Sequence, residues 1–326
     1  VQAPAPSRPL ARSYAGAGLL SHIMVSKYLD HLPLYRQSQM WAREDINLSQ
    51  STLGDWVGGV HQLLRPLINA LHQHVFSARK LHADDTPIAV LAPGTGKTRQ
   101  ARLWVYARDD RPSAGTEPAA VWFRYSPDRR GIHPQTHLKN FEGILQADAY
   151  AGYNEIYRTG KVIEAGCWAH ARRKFHDIHK HRPSDITHHV MTQIGQLYEI
   201  EAGIRGSPPR VRQAVRQERA LPIVLALHDW FMQQLPTLSR KSVTTDAIQY
   251  ALNQWQALTR YLEDGEIEID NNAAERALRS VAVGRKNYLF LGSDAGGERA
   301  ATLYSLLGTA KLNGINPEAY LRHVLS

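Results

Sequence analysis

The amino-acid sequence predicts an α/β fold: a sheet of mixed strand direction flanked by helices, with a helical segment ahead of it and a mostly helical insertion within it. Three observations carry that reading. KLHADDTPIAVLAP, ARLWVYARD and AAVWFRYSPD are rich in β-branched and aromatic residues, and the turn-forming strings GTGK and RPSAGTEP separate them, as expected of three consecutive antiparallel strands. GILQADAY and KVIEAGCWAH read as two further strands, preceded by the helical strings HPQTHLKNF and AGYNEIYRTG. On either side of this block the apolar residues return to helical spacing.

Taken in order, residues 1–15 are rich in Pro and Ala and read as a linker or disordered start without the apolar stretch of a secretory signal. The first residue is not Met, which leaves room for residues upstream. Residues 16–78 read as helices: Leu34, Met40 and Trp41, then Leu53, Trp56, Val57 and Val60, follow the three-and-four rhythm of buried faces. DINLSQ connects the two faces and offers Ser49 or Ser51 as an N-cap. Two short helices joined this way resemble a DNA-binding helix-turn-helix, although the second carries few basic residues, and two simply packed helices is the competing reading. Residues 79–182 hold the five strands, and strand, strand, strand, helix, strand, helix, strand is the order of a ribonuclease-H-like core. Residues 183–264 read as a helical insertion punctuated by Pro183, Gly206 to Pro209, Pro222 and Pro236. The core resumes in 265–326 with DNNAAERALRSVAVGRKN and two closing helices.

GTGKT, from Gly94 to Thr98, imitates a phosphate-binding loop. That loop needs a glycine five places before Gly96, where this chain has Leu91, and a helix after it, where this chain has the strand-like Leu103, Trp104, Val105 and Tyr106. The string therefore reads as a hairpin turn.

Over 326 residues, 43% of them hydrophobic, the chain is long enough for a sizeable core and for more than one structural unit. Its apolar runs, Ile223 to Leu227 among the longest, fall far short of the roughly 20 residues of a membrane span. Cys167 is the only cysteine, which excludes an intramolecular disulfide and favours a reducing, cytoplasmic setting. With 39 Lys and Arg against 30 Asp and Glu, the net charge of +9 favours a polyanionic partner such as nucleic acid.

Acidic residues are disfavoured in strands, so Asp84 and Asp85 in the first strand and Asp148 at the end of the fourth draw notice. Alternation along a strand lets only one of Asp84 and Asp85 face a given site. In DNNAAERALR, Asn271 or Asn272 as cap puts Glu275 in the first turn of a helix, with Arg279 one turn on as an ordinary surface partner. The cluster Arg172, Arg173, Lys174 suits phosphate contacts, and Arg276, Arg279, Arg285 and Lys286 add positive charge near Glu275 in the sequence. Cys167 and His170 form a C-x-x-H string, but one cysteine is too few for a cysteine-rich structural zinc site.

HADDTP, QADAYAGY, CWAHARRKF and IDNNAAERALR, in this order, resemble the DDE transposases of the IS66 insertion-sequence family. VSKYLDHLPLYRQ followed by LSQSTLGDWV is similar to the helical segment preceding that family's catalytic domain, so the likeness runs from about Arg12 to the C-terminus. The resemblance implies three carboxylates, Asp84, Asp148 and Glu275, that hold two Mg²⁺ ions, with Mn²⁺ able to substitute. In ADDTP the family usually shows a D-E-T-P-like string, and here Asp85 replaces the Glu. The long interval between Asp148 and Glu275 is then explained by the helical insertion. The expected activity is metal-dependent DNA strand cleavage and transfer at insertion-sequence ends, by a cytoplasmic, nucleoid-associated protein. Its expected partners are transposon ends and target DNA, further copies of itself in a synaptic complex and accessory proteins of the same element. Cys167 and His170 fall beside the catalytic pocket, where His170 would contact DNA or order the site; a core cysteine and a satisfied histidine is the alternative. The family's upstream cysteine-rich zinc module is not in this chain. Alternative readings are a catalytically silent DNA-binding remnant and a general ribonuclease-H-like nuclease.

Overall fold

A computed structural model of the chain describes residues 8–326, so the first seven residues of the expected linker lie outside the described residues. Four helices come first: α1 (Ala17–Tyr28), α2 (Leu34–Ala42), α3 (Gln50–Leu63) and α4 (Arg65–Phe76). Ser49 is the cap of α3, its hydroxyl accepting the Thr52 N–H at 3.1 Å, and α3 buries Leu53, Trp56, Val57 and Val60 as its spacing requires. Met40, expected on a buried face, is 41% exposed. The inner face of α2 instead runs through Leu34, Gln37 and Trp41, and the buried Gln37 amide donates to the Leu32 carbonyl at 3.0 Å.

The sheet is built from β1 (Lys80–Ala92), β2 (Lys97–Arg108), β3 (Ala120–Ser126), β4 (Gly143–Gln146) and β5 (Val162–Ala165) in the order β3-β2-β1-β4-β5. The first three strands are mutually antiparallel, while β4 and β5 run parallel to β1 and to each other. This mixed sheet with flanking helices is a ribonuclease-H-like arrangement. Ala92 pairs with Lys97 across the β1–β2 hairpin, and Gly94 and Gly96 take φ values of +80° and +66°, which only glycine adopts freely. The GTGK string is thus a turn. Short helices α5 (Ile132–His137) and α6 (Asn154–Arg158) precede β4 and β5. The fifth strand is shorter than KVIEAGCWAH suggested, because helix α7 (Trp168–His181) begins at Trp168, whose indole N–H donates to the Leu258 carbonyl at 2.8 Å and whose backbone N–H donates to that of Ile269 at 3.0 Å.

Next come α8 (Asp185–Ile204), α9 (Pro209–Val215), α10 (Leu221–Gln234), α11 (Val243–Asn253) and α12 (Trp255–Thr259). Their apolar faces, including Ile194, Leu197, Phe231 and Ile248, pack on Phe175 of α7 and reach the sheet at Ile144 and Ala165. Beneath them lies a charged knot: the Glu201 carboxylate accepts two bonds of 2.7 Å from the fully buried Arg216, and Arg212 donates to Glu268 at 2.8 Å. Buried charges of this kind persist only when paired.

The chain ends in α13 (Asn272–Gly284), α14 (Asp294–Leu312) and α15 (Pro317–Val324). Helix α14 lies along the edge strand β3. Its Ser305 and Thr309 hydroxyls accept the outward N–H groups of Phe123 and Val121 at 2.7 and 3.1 Å, and its Asn313 amide donates to the Ala119 carbonyl at 2.7 Å. The approach is close: a Cβ on Gly297 would lie 2.2 Å from the Tyr125 ring.

Candidate active site

Three elements distant in sequence bring carboxylates toward one cleft. Asp84 lies within β1. Asp148 follows β4, where the parallel strand ends, and its Oδ1 accepts the Tyr150 N–H at 3.3 Å, holding the chain in a tight turn. Glu275 sits in the first turn of α13, as the capping pattern predicts. Asn271 occupies the N-cap position, but its side chain does not cap the helix. Its amide donates to the Ala83 carbonyl at 2.7 Å, and its oxygen lies 3.2 Å from His82 Nδ1, so the start of α13 is pinned to β1 beside Asp84.

Burial pushes the Asp84 carboxyl up from 3.8 to about 7, opposed by the Asp85 N–H it accepts at 2.7 Å and reinforced by the negative charges of Asp148, Asp85 and Glu275. Asp148 is also raised by burial, which His170 and Arg129 partly offset. Asp84 therefore feels both other carboxylates. Among the described residues the three do not form a group whose ligand atoms all lie within 4.8 Å of one another. A site for two ions about 3.5 to 4 Å apart does not require that, since oxygens bound to different ions at about 2 Å sit up to about 8 Å apart.

Asp85 turns to cations instead. Its side chain is 2% exposed, pairs with Arg102 at 3.0 Å and with Arg129 at 2.9 Å, and Arg129 also reaches Asp148 at 3.6 Å while covering the Tyr150 ring. Arg129 is the residue that reading the sequence missed. The available signal was the DRR string just after the third strand, at the mouth of the sheet.

Glu275 is ion-paired with Arg173 at 3.5 Å and lies 3.6 Å from His170 Nε2, both on α7, rather than with Arg279 one turn along its own helix. Its Oε1 is buried and without a hydrogen-bond partner. Arg173 and Lys174 line the same cleft as Asp148, Tyr150, His170 and Arg129, and Lys174 stacks on Tyr250. Arg172 borders the adjoining hollow with His176 and Tyr198. Arg276 points to Asp109 at 3.8 Å, Arg279 lines a groove with Leu29 and Tyr304, Arg285 donates to the Pro87 carbonyl at 2.6 Å, and Lys286 is exposed. Cys167 precedes α7 and its sulfur accepts the Asn271 N–H at 3.2 Å, linking the starts of α7 and α13; burial pushes its thiol up to about 12. Among the described residues no helix is long and apolar enough to cross a membrane.

Comparison with known proteins places these elements in a family. The family model described as "Transposase IS66 family" matches residues 12–299, and that described as "IS66 C-terminal element" matches residues 305–326. Three relatives from Sinorhizobium fredii carry only provisional names. "Uncharacterized protein y4hP" is 41% identical over all of this chain and 61% of that protein. "Uncharacterized protein y4qI" is 40% identical over all of the chain and 62% of the relative. "Uncharacterized protein y4jD" is 39% identical, again over the whole chain and 65% of the relative. The chain thus spans less than two thirds of the length of these relatives. Matched by both family models and by relatives over its full length, the chain belongs to the IS66 transposase family.

Proposed function

We propose that the chain is the catalytic part of a DDE-type DNA transposase, which cleaves a DNA strand at the ends of its element and joins the freed end to target DNA. The observation that carries this reading is the state of Asp84, pushed up to about 7 by burial and by Asp148 and Glu275, which arrive from separate elements. Among the described residues Asp85, Asp148 and Glu275 each have a cationic partner while Asp84 has none, which invites a divalent ion at Asp84, and the Oε1 of Glu275, without a hydrogen bond, is a further oxygen donor for one. Hard oxygen donors of this kind fit Mg²⁺ or Mn²⁺. Two such ions, when bound, activate the attacking water or 3′ hydroxyl and stabilise the leaving oxygen of an in-line displacement.

The residues divide the remaining work. Asp84, Asp148 and Glu275 would hold the ions through their carboxylate oxygens, Asp84 being the one that senses both of the others. Arg129, Arg173 and Lys174 line the cleft beside them and meet the DNA backbone, whose phosphates need cations along the approach. Asp85 keeps the Arg129 guanidinium in place with contacts at 2.9 and 3.0 Å. The partners are the ends of the element, target DNA, further copies of the chain in the synaptic complex and accessory proteins of the same element.

The test uses purified protein and DNA bearing the terminal repeats, with Mg²⁺ or Mn²⁺. Nicking at the element end is expected, and Glu275→Gln abolishes it with an unchanged melting curve. Undiminished cleavage by that variant rejects the site assignment. If neither protein nicks but both retain the DNA on a gel, the chain is a DNA-binding remnant and the enzymatic reading fails.

A further inference from the structure

His170 Nε2 and Glu275 Oε1 lie 3.6 Å apart, and Cys167 offers its sulfur so that the three ligand atoms all fall within 4.8 Å of one another. Tetrahedral zinc, with bonds of about 2.0 to 2.3 Å, holds its ligand atoms about 3.3 to 3.8 Å apart. The nitrogen–oxygen pair already has that spacing, and the sulfur, no more than 4.8 Å from either atom, needs to close by up to about 1.5 Å, a side-chain adjustment. The scaffold is rigid where precision is needed. Cys167 and His170 flank the start of α7, Glu275 lies in the first turn of α13, and the Asn271 N–H on Cys167 Sγ ties the two helix starts together. Two atoms there lack partners: His170 Nδ1 and Glu275 Oε1 are both buried without a hydrogen bond. The sequence could not disclose this group, since its third member stands far along the chain on another helix.

We propose that Cys167, His170 and Glu275 form a thiolate-containing site for a zinc-type transition metal, distinct in chemistry from the oxygen-only magnesium site and sharing Glu275 with it. A sulfur, an imidazole nitrogen and a single carboxylate oxygen select a borderline ion over Mg²⁺, which prefers oxygen alone. Three protein ligands leave the fourth position to water. On binding, a sulfur–metal bond forms and the thiol proton passes to solvent. The consequence for activity rests on the transposase reading: zinc takes Glu275 from the catalytic ions, so the two metals exclude each other and free zinc restrains DNA cutting.

The experiment titrates the metal-free full chain with Co²⁺ as a spectroscopic probe. A sulfur-to-cobalt charge-transfer band saturating at one equivalent and bleached by Zn²⁺ is expected. Cys167→Ser loses the band, while His170→Asn keeps it and weakens binding by more than about tenfold. Asp84→Asn leaves the titration unchanged. Absence of the band in the parent, its survival in Cys167→Ser, or unchanged affinity in His170→Asn overturns the site; the histidine variant decides alone if the buried serine variant does not fold. In a nicking assay Zn²⁺ suppresses Mg²⁺-supported cleavage and excess Mg²⁺ relieves it, whereas cobalt binding without zinc suppression overturns the competition. Should the parent never nick, the transposase reading fails and the competition with it, while the cobalt titration still decides the site.

Discussion

Replacing Asp84 with Asn removes a carboxyl that burial and three neighbouring acids hold far above its ordinary value. An acid whose folded value lies above its unfolded one keeps its proton longer in the folded state. Its contribution to stability is therefore present at low pH and lost as pH rises toward the folded value. Here that interval runs from 3.8 to about 7. Each pH unit in which only the folded chain keeps the proton is worth about 1.4 kcal/mol, so the metal-free parent loses about 3 kcal/mol through this group between pH 5 and pH 8. The Asn variant has nothing to titrate there. Urea unfolding in the presence of chelator at pH 5 and pH 8 reads the effect directly: the stability of the variant relative to the parent rises by about 3 kcal/mol from the lower pH to the higher. Millimolar Mg²⁺ at pH 8 then stabilises the parent and leaves the variant nearly unmoved, through binding to the folded state. A variant-to-parent difference that stays flat with pH refutes the crowding of carboxylates around Asp84.

Other outcomes follow from other parts of the fold. Glu201→Ala leaves Arg216, which is 0% exposed, without its carboxylate partner while Arg212 keeps Glu268, and destabilises the chain by about 3 to 5 kcal/mol in denaturant melts. Ser305→Ala leaves the buried Phe123 N–H without its acceptor and lowers stability by about 1 to 3 kcal/mol on the same measurement. Substituting Arg172, Arg173 and Lys174 by Ala flattens the dependence of DNA affinity on salt, the slope of log K against log salt falling by up to about 3 in magnitude if all three meet phosphates.

Much of this architecture was legible because the first three strands are rich in β-branched or aromatic residues and separated by turn-forming strings. GTGK and RPSAGTEP mark where β1 gives way to β2 and β2 to β3, so the order of elements followed from local chemistry. Ser49 as a cap and Glu275 in a first helical turn are local in the same sense. What escaped depends on which distant element arrives. Asn271 has the residue type of a cap, yet its side chain is drawn to β1 by the Ala83 carbonyl. Glu275 has Arg279 at the favourable spacing, yet α7 places Arg173 and His170 against it. Met40 fits a helical rhythm by spacing, but the face of α2 that turns inward is the one carrying Gln37. Periodicity reports a stripe, and only packing chooses the stripe.

The row of Ser305, Thr309 and Asn313 along α14 closes one border of the sheet to strands from outside the chain. Unpaired strand borders are where sheets of separate molecules zip together. On the β3 side that border is already occupied by side chains imitating a neighbouring strand, so a foreign strand would have to strip the helix away before it could dock. A strand from outside the chain would then find an open sheet border, if anywhere, at the opposite margin on β5. A shortened chain ending ahead of Asp294 would expose the seven residues of β3 and be expected to precipitate rather than merely soften.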